Sequence, residues 1–241
     1  AEAALRFAFE AAERELEAGG VDVQISGCTA AAALHHNGRV WLATAGDSRA
    51  ALLAPGRGLL HETSDHKPSR PDEAERISAA GGEVKATDYG GGYVDERVYI
   101  RGSCFPGLGV TRALGDCAVK HIGVVAEPEV VSWPLEGAAY LLACSDGVWE
   151  FVSSEQAAEN VLASLERGRT PQEAVEELLE LAREAWRTNE EPGYCDDITI
   201  VLLPLTGAGA PSWEAVVSPE ERVATSAEAA AAAEDGGCQL Q

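Results

Sequence analysis

Three short turns in this 241-residue chain put acidic side chains at the ends of apolar runs. They are Ala45-Gly46-Asp47-Ser48-Arg49, Cys144-Ser145-Asp146-Gly147-Val148-Trp149-Glu150 and Cys195-Asp196-Asp197-Ile198-Thr199. Carboxylate oxygens are hard donors that suit Mg²⁺ or Mn²⁺. A carboxylate at a strand end is carried by a rigid element beside a loop opening, which is where such an ion can be held. Two ions a few ångströms apart can lower the pKa of a shared water and aim it at a phosphoryl group. Taken singly each turn is ordinary, because Asp beside Gly is common turn chemistry. Three in one chain call for a common explanation.

The elements that must carry these turns are legible nearby. Val40–Thr44 and Tyr140–Ala143 read as strands running into the first two turns, and residues 198–203 as a strand leaving the third. Residues 3–18 read as a helix with Leu5, Phe9, Ala12 and Leu16 on one face, stopping at Gly19-Gly20. Strands are expected at about 28–34, 39–45 and 50–54, with Asn37-Gly38 as a two-residue hairpin turn. A helix over 71–80 starts at Pro71 and ends in glycines. Residues 83–105 are Gly-rich and without sustained period, and are expected to form an irregular surface segment. Ser153-x-x-Gln156 and Thr170-Pro171-Gln172-Glu173 open two further helices. The second of these is expected to bury Ala174, Leu178, Leu181 and Ala185. Residues 1–205 therefore read as one folded domain. Residues 206–241, with an Ala/Glu tract at 227–234, lack the apolar surface to fold and are expected to be a disordered tail.

Composition bounds the functional class. A 46% hydrophobic content is ample for a core, and no run of 18 apolar residues could span a membrane. No signal peptide is visible. Six scattered cysteines with no Cys-x-x-Cys pair fit reduced thiols, hence a cytoplasmic or nuclear protein. The formal charge of −22 argues against nucleic acid as a partner. It fits a solvated acidic surface, or alternatively a preference for metal ions and basic phosphoprotein segments. The C-terminal Cys238-Gln239-Leu240-Gln241 fits a prenylation pattern, but the residues upstream are acidic and supply no basic second signal. The sequence does not begin with Met, as expected of a fragment, a processed product or a trimmed chain.

Further phrases keep the acidic turns company. In order they are Ser26-Gly27-Cys28-Thr29-Ala30, Asp65-His66-Lys67-Pro68, the helix around Glu73–Ile77 ending in Ala80-Gly81-Gly82, Pro106–Asp116 with Thr111-Arg112-Ala113-Leu114-Gly115-Asp116, and Ala126-Glu127-Pro128-Glu129-Val130. Together with the acidic turns, this ordered set resembles the metal-dependent Ser/Thr protein phosphatases of type 2C, from about Leu5 to Leu203. The resemblance implies an α+β fold: a four-layer α-β-β-α sandwich of two antiparallel sheets flanked by helices, with metals in a cleft at one end. It implies hydrolysis of phosphoserine and phosphothreonine on proteins by a metal-activated water, with two Mn²⁺ or Mg²⁺ ions and a third in many members. Phosphoproteins would be the substrates, and a monomer is expected.

Residue by residue, the resemblance makes Asp146 a ligand of the binuclear centre and Asp196 another. The family's asparagine after the latter is Asp197 here. Asp47 and Glu150 fall at positions that hold the third ion, although the family usually has Asp at the Glu150 position. Arg112 and Asp116 are expected to be structural, through a buried ion pair or hydrogen bonds, and His66 to be a turn histidine. The family also begins with a phosphate-gripping Arg, a Glu-Asp pair and an Asp-Gly-His-Gly-Gly motif on its first strands. None of these is in this sequence, so no catalytic acid or phosphate-binding Arg is assigned. The expected sandwich lacks its first strands, and these residues alone are expected to be impaired. The alternative is a catalytically inactive pseudophosphatase serving as a protein-binding scaffold. A third reading, another metal-dependent phosphoesterase, would need histidine ligands, and the five histidines do not cluster with the acidic turns.

Overall fold

The computed structural model describes residues 1–90, 93–190 and 194–205. The described residues all fall in one compact unit, Ala1–Gly209. The tail expected at 206–241 and Cys238 lie outside the described residues. In chain order the elements are α1 (Glu2–Ala18), β1 (Gly27–Cys28), β2 (Ala30–His36), β3 (Arg39–Ala45), β4 (Arg49–Ala54), β5 (Gly58–Glu62), α2 (Pro71–Ala79), β6 (Gly82–Gly90), β7 (Tyr93–Ile100), β8 (Pro106–Leu108), β9 (Leu114–Gly115), β10 (Glu129–Pro134), β11 (Tyr140–Cys144), α3 (Asp146–Trp149), α4 (Ser154–Glu166), α5 (Pro171–Asn189) and β12 (Ile200–Pro204). A 3-10 helix spans Cys117–Ile122.

Two antiparallel sheets, ordered β10-β3-β2 and β12-β11-β4-β5, make the centre of the molecule. Strand alternation assigns their faces. Val40 and Leu42 of β3 pack with Ala50 and Leu52 of β4 and with Leu141, forming the core between the sheets. The intervening residues face outward. Ala43 and Ala45 meet Leu5 and Phe9 of α1, whereas Ala51, Leu53 and Leu142 meet Ala157, Val161, Ala174 and Leu178 of α4 and α5. The layers are thus α1, sheet, sheet and the α4–α5 pair. Each fully buried leucine in them contributes about 2 kcal/mol of hydrophobic stabilisation.

Local signals act as their chemistry requires. Asn37 and Gly38 both have positive φ (51° and 68°), the conformation a type I′ hairpin needs. Ser153 and Thr170 each close a reciprocal capping box, with Gln156 and Glu173.

Two expectations need correction. Residues 83–90 and 93–100 are not irregular: β6 and β7 pair antiparallel, and β8 pairs with β7. Val84, Val98, Ile100 and Leu108 of this small sheet pack on Ile77 of α2 and on Val119 and Ile122. The alternating pattern that dictates it is short and broken by glycines at 90–92. The buried stripe of α5 is Ala174, Leu178, Ala182 and Trp186, while Leu181 is 37% exposed. A stripe that advances by four residues drifts only slowly round a 3.6-residue helix, so the step from Leu178 to Ala182 stays on the buried face.

Candidate metal centre

The turn after β3 carries the chain from one central sheet to the other, which puts Asp47 at an end of the sandwich. Gly46 makes the turn possible: its φ is +102°, and a Cβ there would lie 2.2 Å from Thr29 Cγ2. Thr29 and Ser48 hydroxyls bond at 2.8 Å across the turn. Asp47 itself is only 4% exposed.

Asp146 opens α3 directly after β11, and Asp196 lies just before β12, the neighbour of β11. The two segments are stitched together by the Ser145 hydroxyl, which donates to the Asp197 carbonyl at 3.0 Å and accepts from the Thr199 amide at 2.9 Å. Gly147 is pressed against this seam, where a Cβ would lie 2.5 Å from the Asp197 carbonyl oxygen. Trp186 of α5 donates its indole N–H to the Gly147 carbonyl at 2.7 Å, so the helix layer also braces the turn.

All four predicted ligands, Asp47, Asp146, Asp196 and Glu150, line one open cleft of about 580 Å³. Val94, Arg97 and Leu108 of the β7–β8 sheet also line it, as do Trp186 and Tyr194. Burial, and then the charges of Asp47 and Asp196, push the Asp146 carboxyl up to about 6. Part-buried carboxylates that feel one another's charge are hard oxygen donors of the kind that fits Mg²⁺ or Mn²⁺.

Lys67, which the Asp65-His66-Lys67-Pro68 phrase leaves without a role, enters this cleft and its ammonium hydrogen-bonds the Asp47 carboxylate. Burial would lower the Lys67 pKa, but Asp47, with smaller contributions from Asp146 and Glu150, raises it.

Arg112, expected to be structural, pairs with Glu73 at 2.7 Å. Glu73 is fully buried, and although burial opposes its charge, bonds from Arg76, Arg112 and Thr111 hold it well below the usual carboxylate range. Asp116 sits at φ 51° before the 3-10 helix, its carboxyl raised by burial. His66 is fully buried, its Nδ1 3.0 Å from the Gly46 carbonyl oxygen, and burial lowers its pKa. Asp197 contributes backbone: its amide donates to Asp196 Oδ1 at 2.7 Å.

Among the described residues, the trio with ligand atoms all within 4.8 Å is elsewhere: Glu13, Glu17 and Cys117. Glu13 there already accepts from the Gly115 amide at 2.8 Å and pairs with Lys120 at 3.1 Å. Burial and the Glu17 hydrogen bond raise the Cys117 thiol, which keeps it protonated. Those groups are satisfied by one another, so the cleft is the better candidate although its carboxylates stand further apart.

A sequence model of the protein phosphatase 2C family matches residues 1–190. The chain is similar to "Probable protein phosphatase 2C 64" of Oryza sativa subsp. japonica, with 35% identity over 211 residues, covering 83% of this chain and 47% of the relative. It is similar to "Probable protein phosphatase 1N" of Homo sapiens, with 36% identity over 222 residues, covering 88% of this chain and 46% of the relative. The chain thus spans about half the length of these curated relatives. Its fold is similar to the crystal structure of a serine-threonine phosphatase 2C from Toxoplasma gondii, with a TM-score of 0.69, 24% identity, and coverage of 83% of this chain and 66% of that one.

Proposed function

We infer that this chain, which belongs to the protein phosphatase 2C family, serves the hydrolysis of phosphoserine and phosphothreonine on proteins. The observation that carries this reading is the convergence of Asp47, Asp146 and Asp196, from three separate segments, on one cleft with Glu150 at its rim. Asp146 and Asp196 would hold Mn²⁺ or Mg²⁺ of a two-ion centre, and Asp47 with Glu150 would contribute to a third. A divalent ion bound there supplies a water of lowered pKa and neutralises charge on the phosphoryl group. The protein residues supply position. The paired β11 and β12 set the separation of Asp146 and Asp196, and the Ser145 seam holds it. The β7–β8 sheet and Tyr194 bound the space in which a phosphorylated segment would lie.

No histidine lines the cleft among the described residues, and buried His66 has no route to it as a proton donor. With no Asp-Gly-His-Gly-Gly motif in the sequence, the 241 residues alone are proposed to turn over slowly or not at all. Cytoplasm or nucleus is the compartment we favour, on the free state of the five described cysteines. No helix among the described residues is long and apolar enough to cross a membrane.

The test is Mn²⁺ titration by calorimetry beside hydrolysis of a phosphothreonine peptide, with this chain and with a version supplied with the family's Arg, Glu-Asp and Asp-Gly-His-Gly-Gly segment. Tight binding and turnover are expected only in the supplemented protein, and both should vanish with Asp146→Ala or Asp196→Ala. Wild-type rates in either variant would overturn the ligand assignment. Absence of tight binding in both forms would leave the inactive, partner-binding scaffold as the better reading.

A further inference from the structure

Lys67 differs from an ordinary surface lysine in how it is held. Its side chain is 34% exposed and its ammonium rests on Asp47, whose side chain is 6% exposed. The segment that carries it is pinned on both sides. Asp65 accepts a two-pronged bond from Arg49, both arms 2.9 Å. The His66 amide donates to the Gly46 carbonyl at 3.0 Å, and the Thr111 amide donates to the His66 carbonyl at 2.9 Å. Gly46 immediately precedes Asp47, so lysine and carboxylate hang from two backbones locked together one residue away. A free lysine loses about 2 kcal/mol of rotamer entropy when fixed; here the rigid backbone limits the positions that the ammonium can sample.

We propose that Lys67 is a resident counter-cation of the Asp47–Asp146 corner, for whose carboxylates it competes with a divalent ion. The inference rests on reading those carboxylates as ion ligands. A buried Asp47 charge is costly without a cation beside it. Lysine meets that need with a compact single charge on a flexible stem, which can withdraw when a stronger cation arrives. Arginine, with a rigid bidentate fork, would be harder to dislodge. Asp146 and Glu150 line the same cleft as Lys67 and Asp47, so the lysine faces the whole corner rather than one carboxylate. Lys67 is therefore a residue that sets the metal affinity of this corner, without itself being a ligand.

The experiment is Mn²⁺ titration of the 241-residue chain by calorimetry, with free Mn²⁺ followed by electron paramagnetic resonance. Lys67→Gln should tighten binding by about tenfold, because a unit charge a few ångströms from the ion is removed. Lys67→Arg should keep or weaken the wild-type affinity, and Asp47→Asn in the Lys67→Gln background should abolish the gain. Unchanged or weaker binding by a folded Lys67→Gln variant overturns the proposal while leaving the ligand assignment intact. No Mn²⁺ binding by Lys67→Gln overturns the proposal, while the ligand assignment is decided separately by Asp146→Ala and Asp196→Ala in the supplemented protein. A second measurement needs no variant: in ¹⁵N-lysine-labelled wild-type protein, Mg²⁺ should shift the Lys67 Nζ resonance as the ammonium leaves Asp47. A resonance that stays in place when Mg²⁺ perturbs the Asp146 backbone also overturns the proposal.

Discussion

Asp146 shows how one carboxylate can report on the whole site. Burial, then Asp47 and Asp196, raise it from 3.8 to about 6. A carboxyl raised in the folded state binds its proton more tightly there than in the unfolded chain, so its contribution to stability is full below about 3.8 and is lost as pH rises through about 6. The difference in unfolding free energy between wild type and Asp146→Asn, measured by urea denaturation without metal, should therefore move against the wild type between pH 4 and 6, by roughly 1–2 kcal/mol at most because the group is partly solvated. Metal binding has the opposite dependence. Mn²⁺ requires the ionised carboxylate, so its affinity should rise with pH through the same interval, with proton release on binding detectable by calorimetry in buffers of different ionisation enthalpy. A pH-independent affinity would remove Asp146 from the ligand set. His66 illustrates the converse: a titratable side chain with suggestive neighbours is sealed inside the fold, where its ring serves the Gly46 turn.

At the scale of elements, the seam between β11–α3 and the loop before β12 determines the geometry of the site. Gly147 is its tightest point, 2.5 Å from the Asp197 carbonyl once a Cβ is added. Gly147→Ala should cost about 1–3 kcal/mol in urea denaturation and weaken Mn²⁺ binding, because the loop carrying Asp196 has to move. Gly109→Ala is the control, since its added Cβ meets no atom within 4 Å; equal effects of the two would show that the seam does not matter. The same scale explains what could be read beforehand. Helices α4 and α5 were legible because capping boxes and a terminal proline are local chemistry. The β6–β7 pair was not, because its alternation is interrupted by glycines and its apolar face is recognisable only against Ile77, Val119 and Ile122.

For the molecule as a whole, the charge of −22 is the dominant electrostatic term. Much of it lies on partly exposed acidic residues, several of them paired, such as Glu180 and Glu184 with Arg183 and Arg187 on α5. Such pairs contribute little each, so net repulsion should outweigh them. Raising NaCl from about 0.02 to 0.2 M should therefore raise the melting temperature by a few degrees, because the Debye length shortens from about 20 Å to below 10 Å. Mn²⁺ affinity should fall over the same range, since the acidic field that attracts the ion is screened. A salt-independent melting temperature would mean that the surface ion pairs already balance the excess.

The sequence by itself determined the family, the order of the motifs, the hairpin at Asn37-Gly38 and both capped helices, because turn chemistry, capping and periodicity act over a few residues. It also marked Asp47, Asp146, Asp196 and Glu150. Only the tertiary structure brought these to one cleft, through the pairing of β11 with both β4 and β12 and the crossing from β3 to β4. The same long-range packing gave Arg112 its partner in Glu73, selected Ala182 over Leu181 for the core, and set Lys67 against Asp47. These outcomes depend on burial and on charges supplied by distant segments, which no local pattern encodes.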